Sequence, residues 1–277
     1  MVGNPRDKYL TALSSGYWRD LTTSDFMILE PARTIALLPV SAIEQHGPHL
    51  PLDTDTCISE GIVRDLIAKT PKTLTLLALP TMLIGESSEH SDFPGTLTAT
   101  AETLIKLWVQ IGEQVCKTGI RKILILNSHG GQPQVVDIVA QRLRAKNQLL
   151  VVSTDTFQLG APSGIFSDDE LRHGLHAGEV ETSMMLHLRP ESVRMEHAQN
   201  FVPNTIKLDK PYNRIAPNGP ARFAWQAQDL HKSGACGNAA CADAKRGKAT
   251  IEHMVNELIF ILDDMARFPL TDLQDER

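Results

Sequence analysis

The chain has 277 residues, 42% of them hydrophobic, and a formal charge of −6 at neutral pH. That length suffices for one α/β domain over residues 1–277 with a sizeable core. The acidic balance argues against nucleic acid as the main partner. No apolar run is long enough to span a membrane. Arg6, Asp7 and Lys8 precede no apolar signal segment, so a cytoplasmic location is expected. Cys57, Cys116, Cys236 and Cys241 form no C-x-x-C pair and read as thiols.

The first element is the apolar run Thr34–Val40, a strand. It leads into E-Q-H-G-P-H-L-P-L-D-T-D-T, residues 44–56. A helix is predicted over Thr56–Ala68 and a strand over Thr73–Leu79. The loop Gly85–Thr96 follows, by itself only a polar loop, and then a helix over Thr100–Thr118. Lys122–Leu126 reads as a buried strand, and N-S-H-G-G-Q, residues 127–132, turns it into a helix over Gln134–Lys146. Leu149–Thr154 is the next strand. Asp155–Asp169 is rich in Gly, Pro and Ser and is a candidate lid. The segment H-G-L-H-A-G-E-V-E-T-S, residues 173–183, opens a helix over Glu179–Leu188. Pro203–Gly237 is irregular, and Asp243–Phe268 is the last helix. Such alternation predicts a mostly parallel sheet between helical layers, a three-layer α/β/α fold.

Ligand-type side chains cluster where these strands end, which is where α/β enzymes place their sites. In an extended segment, residues two apart point the same way, so Glu44 and His46 can reach one point. Asp55 can fold back onto it after the Pro48–Pro51 turn. Mixed imidazole and carboxylate donors suit a divalent Zn, Mn or Fe ion. His129 sits on a glycine turn between strand and helix, where a ligand can approach closely. Glu179 falls in the first turn of its helix and His176 just before it. Metal chemistry would use Glu179 as a ligand and His176 as a proton shuttle.

Four motifs in order resemble the creatininase family. Pro39–Asp55 is similar to its P-x-G-S-x-E-Q-H-G-P-H-L-P-x-x-T-D, and Glu89–Thr96 to E-H-x-x-F-P-G-T. Asn127–Gln132 is similar to N-G-H-G-G-N, and His176–Ser183 to H-A-G-E-x-E-T-S. The resemblance implies a creatininase-like fold and a metal-dependent amidohydrolase. Its substrate would be a small molecule with a non-peptide C–N bond in an amide, cyclic amide or formamide. It implies two divalent ions, Glu44 and His129 on one, His46 and Glu179 on the other. Asp55 bridges them, with Asp53 the alternative, and His176 is the acid/base. It also implies a homohexamer. Alternatives are an isomerase or lyase on the same ligands, or a peptidase of the mycofactocin-precursor type.

Two departures separate the chain from creatininase itself. Creatininase carries a ligand glutamate two residues after the third-motif histidine, where this chain has Gly131. It also covers its substrate with tryptophans between the third and fourth motifs, where this chain has none. The H-G-G form resembles the formylamide-hydrolase and mycofactocin-peptidase branch. There the glutamate of H-A-G-E, Glu179 here, would fill the vacant position. Little creatinine turnover is expected.

Overall fold

The structure is a computed structural model that describes residues 15–209, 211–212, 214–217 and 220–273. Strands β1 (Thr34–Val40), β2 (Thr75–Ala78), β3 (Lys122–Asn127) and β4 (Leu150–Asp155) form one sheet in the order β2-β1-β3-β4. Every pairing in it is parallel. All seven residues of β1 and all six of β3 are buried. This is why both read as unbroken apolar runs rather than as alternating strands.

Six helices are named here: α1 (Thr54–Lys69), α2 (Ala101–Lys117), α3 (Pro133–Asn147), α4 (Asp168–His173), α5 (Glu179–Leu188) and α6 (Ala244–Arg267). Successive strand residues face opposite sides, so each strand feeds two cores. Ile35, Leu37, Leu124 and Leu126 pack with Ile62 and Leu66 of α1, Met185 of α5 and Ile251 and Leu258 of α6. Ala36, Leu38, Ile123 and Ile125 pack with Trp108 of α2 and Val139 and Leu143 of α3. The result is the predicted three-layer α/β/α arrangement. Helices α5 and α6 approach so closely that a Cβ on Gly247 would lie 1.8 Å from the Ser183 carbonyl oxygen.

The predicted segments fall within two residues of the observed ones, apart from the candidate lid. There Ser167 Oγ accepts from the Glu170 amide and starts α4, a helix of six residues. The D-D-E that follows Ser167 is the favoured acidic first turn, a signal masked by the surrounding Gly, Pro and Ser. The irregular region leaves and returns through an antiparallel pair, Asn200–Phe201 against Gly237–Asn238. All four cysteines are free. Among the described residues no helix is long and apolar enough to cross a membrane.

Candidate metal centre

The carboxyl ends of β1 and β3 stand side by side, with Val40 opposite Asn127. The two loops that leave them therefore start together. The first is closed by the Glu44 amide donating to the Leu52 carbonyl at 2.9 Å, which returns the chain to α1 with Asp55 in its first turn. The second is braced by Asn127. Its Oδ1 accepts from the His129 amide at 3.1 Å and from Gln132 Nε2 at 3.0 Å. Gln132 Oε1 in turn accepts from the Glu86 amide at 3.1 Å, tying in the loop after β2. Gln132, the residue that departs from the family's asparagine, is thus used as a cross-brace.

Three histidines share one wiring. His46 Nδ1 donates to the Glu44 carbonyl at 3.1 Å and leaves Nε2 facing Asp55 Oδ1 at 3.2 Å. His129 Nε2 donates to the Glu86 carbonyl at 2.7 Å, and Nδ1 faces Glu44 Oε2 at 3.2 Å and Asp55 Oδ2 at 3.4 Å. His176 Nε2 donates to the Gln45 carbonyl at 2.6 Å, and Nδ1 faces Glu44 Oε1 at 3.7 Å. One ring nitrogen pinned on a backbone carbonyl fixes the other toward the buried carboxylates, an arrangement that ligand histidines also use. His90 is wired the other way. Its Nδ1 accepts from Gln45 Nε2 at 2.7 Å, so its Nε2 is the protonated nitrogen, facing Glu44 Oε1 at 3.4 Å.

The carboxylates are buried and under-satisfied. Glu44 is 1% exposed and Asp55 3%. Glu44 Oε2 and Asp55 Oδ2 are buried without a well-formed hydrogen bond from the described residues. Such orphaned acceptors are costly in a dry site and call for a cation. Protons answer that demand in part. Burial works to lower His46 and His129, but Asp55 and Glu44 outweigh it, lifting His46 to about 9 and His129 well above its ordinary value. Burial alone would raise Glu44; His129 and His90 hold it well below the usual range. His176 stays low because burial is reinforced by His46 and His90.

The chain brings together Glu44, His46, Asp55, His129 and His176, as the sequence suggested, and leaves Glu179 out. The Glu179 carboxylate pairs with Arg246 at the start of α6, and Arg246 lies over the Phe166 ring at 5.2 Å. Glu181 takes the expected place, grouped with His46 and Asp55 within 4.8 Å. Residues two apart on a helix are separated by roughly 200°, so the two glutamates of H-A-G-E-x-E cannot both face one centre. Burial raises Glu181 to about 7, opposed by His46. Asp53, the other candidate for the bridge, pairs bidentately with Arg189. Nor does Glu179 fill the space at Gly131: a Cβ there would meet Glu89 Oε1 at 1.9 Å. Trp225, from the irregular region, stands edge-on to His90 with ring centres 6.4 Å apart.

At the strand ends of a parallel α/β sheet the chain thus gathers buried carboxylates and histidines that could hold metal ions. The profile of the creatininase family, described as creatinine amidohydrolase, matches residues 19–262, and the chain belongs to that family. It is 29% identical over 238 residues to a mycofactocin precursor peptide peptidase of Mycolicibacterium smegmatis, covering 85% of this chain and 87% of that protein. It is 26% identical over 208 residues to the creatinine amidohydrolase of Pseudomonas putida, covering 68% and 75%. A tryptophan-to-phenylalanine variant of creatininase superposes with a TM-score of 0.74 at 20% identity, over 91% of this chain and 99% of that one. Other creatininases of the same fold carry zinc or manganese by their descriptions.

Proposed function

We propose that this protein is a two-metal amidohydrolase that cleaves the C–N bond of an amide. One ion is held by Glu44 and His129 and the other by His46 and Glu181, with Asp55 shared between them. The observation that carries the reading is the split of Asp55, one oxygen toward His46 and the other toward His129, 3.2 and 3.4 Å away. A carboxylate facing two histidines from two motifs is suited to a bridge. Two such ions supply Lewis acidity to the carbonyl and make the attacking water acidic at neutral pH. His176 Nδ1, unprotonated in its buried site, would serve as the base toward an attacking water and as the acid toward the leaving nitrogen. His90 holds Glu44 in place, and Trp225 walls the centre on the His90 side. The likeness to the peptidase, 29% over 85% of the chain, favours a linear amide, peptide bonds included, over the small cyclic and non-peptide substrates first suggested by sequence.

The test has two parts. Metal analysis of protein purified without chelators should find two divalent ions per chain. Loading the stripped protein at pH 8 should release protons, because His46, raised to about 9, and His129, also raised, must give theirs up. Affinity should accordingly climb with pH through that range. A panel of cyclic amides, formamides and short peptides should then show hydrolysis of a linear amide and little turnover of creatinine. A protein that takes up no ions, or one that yields only isomerised or eliminated products, would overturn the proposal.

A further inference from the structure

We infer that Glu89, on the loop after β2, is a ligand of the ion held by Glu44 and His129, reaching it through the room that Gly131 leaves. This rests on the reading of the centre as a metal site. Three observations converge on it. First, Glu89 Oε1 lies where a side chain at 131 would have to be, 1.9 Å from the position of a Cβ there. The missing side chain on one loop and the carboxylate of the other occupy the same volume. Second, one oxygen of Glu89 falls within 4.8 Å of a carboxylate oxygen of Glu44 and a ring nitrogen of His129. Third, the carboxylate is nearly buried, 12% exposed, and no Lys or Arg pairs with it among the described residues.

Its close side-chain neighbours are His129 Nε2 at 3.4 Å and His90 Nε2 at 3.9 Å. Neither gives it a well-formed hydrogen bond. The Nε2 proton of His129 is committed to the Glu86 carbonyl at 2.7 Å. That of His90 faces Glu44 Oε1 at the shorter distance of 3.4 Å. A nearly buried carboxylate without a hydrogen bond from these rings is costly. Glu44 Oε2 and Asp55 Oδ2, also orphaned, face Nδ1 of His129, and Glu89 adds a third carboxylate to the surroundings of the same ring. The loop that delivers Glu89 is fixed for that task. Ser87 N donates to Thr98 Oγ1 at 2.9 Å, Glu86 N donates to Gln132 Oε1 at 3.1 Å, and Gln228 Nε2 donates to Asp92 at 2.7 Å. The donor set of this ion is therefore drawn from three strand ends.

Competition titration of Zn2+ or Mn2+ against a chelating dye, on wild type, Glu89→Gln and Glu89→Ala, decides the assignment. Circular dichroism checks the fold of each. Glutamine keeps the shape and an acceptor oxygen but loses the charge. Both variants should bind one ion as wild type does and the other at least about 10-fold more weakly, the least expected where even outer groups matter 10–100-fold. Cobalt-substituted protein should show the same change in its visible spectrum. Two ions at wild-type affinity in Glu89→Gln would overturn the assignment whether or not the alanine variant folds. So would weakening in alanine alone, which makes Glu89 a hydrogen-bond acceptor for His129. A wild type that binds no ion would instead bring down the metal centre and this ligand with it.

Discussion

Glu44, His46, Asp55 and His129 leave the ends of two adjacent parallel strands, whereas His176 and Glu181 hang on the start of a helix with no sheet behind it. The first group is positioned by register. Val40 lies opposite Asn127, and Asn127 and Gln132 lock the loops that follow. The second group is positioned by charge. Glu170 is 5% exposed and accepts from the amides of Glu179 and Asn238 at 2.6 and 2.8 Å. Glu179 is clamped by Arg246, and Ala177 takes a left-handed φ of 53° so that the chain turns into α5. One half of the centre is thus built by backbone hydrogen bonds. The other half depends on individual ionisable side chains, and single substitutions should separate the two.

The largest effect is expected at His176. His176→Ala should lower kcat by ~10²–10⁴-fold, the usual worth of a positioned acid/base, with metal content unchanged. Loss of an ion would make His176 a ligand, and normal turnover would remove it from the mechanism. Next in size is the contrast between the two glutamates of α5. Glu181→Gln should weaken one ion by about 10–100-fold or more and leave the unfolding midpoint near wild type. Glu179→Gln should do the reverse, keeping both ions and losing ~1.5–3 kcal/mol by denaturant titration, the range for a hydrogen bond to a charged group. An exchange of these phenotypes would restore Glu179 as the ligand. The smallest effect concerns Trp225. Trp225→Ala should raise KM by about 2–10-fold, in line with one aromatic contact, with kcat retained. A fall in kcat at constant KM would assign it to the chemistry instead of to the wall.

Much of the strand-end half was legible in the sequence, because there the pattern and the physics are local. An apolar run followed by E-x-H and a returning aspartate states both the strand and the direction of its side chains. The α5 half was less legible. H-A-G-E-x-E offers two carboxylates on opposite sides of one helix, and the choice between them depends on Arg246, 67 residues beyond Glu179. Glu89 and His90 were written in a loop whose composition says only that it is polar. The place of Glu89 depends on Gly131, more than 40 residues further on, having no side chain. Trp225 was invisible for the same reason, since no local pattern tells which distant segment folds over a site.

The antiparallel pair Asn200–Phe201 with Gly237–Asn238 gives the region between it the character of a cassette. Both of its ends are fastened at one point, and inside lie Trp225, Gln228 on Asp92 and the Gly234 carbonyl on Gln45. Closing a longer loop on a fixed base adds free-energy cost only slowly, about 0.6 kcal/mol per doubling of length. The stretch can therefore change in length at little closure cost, and none of Glu44, His46, Asp55, His129 and Glu181 lies inside it. A change there would alter the wall beside His90 and leave the strand-end side chains in place.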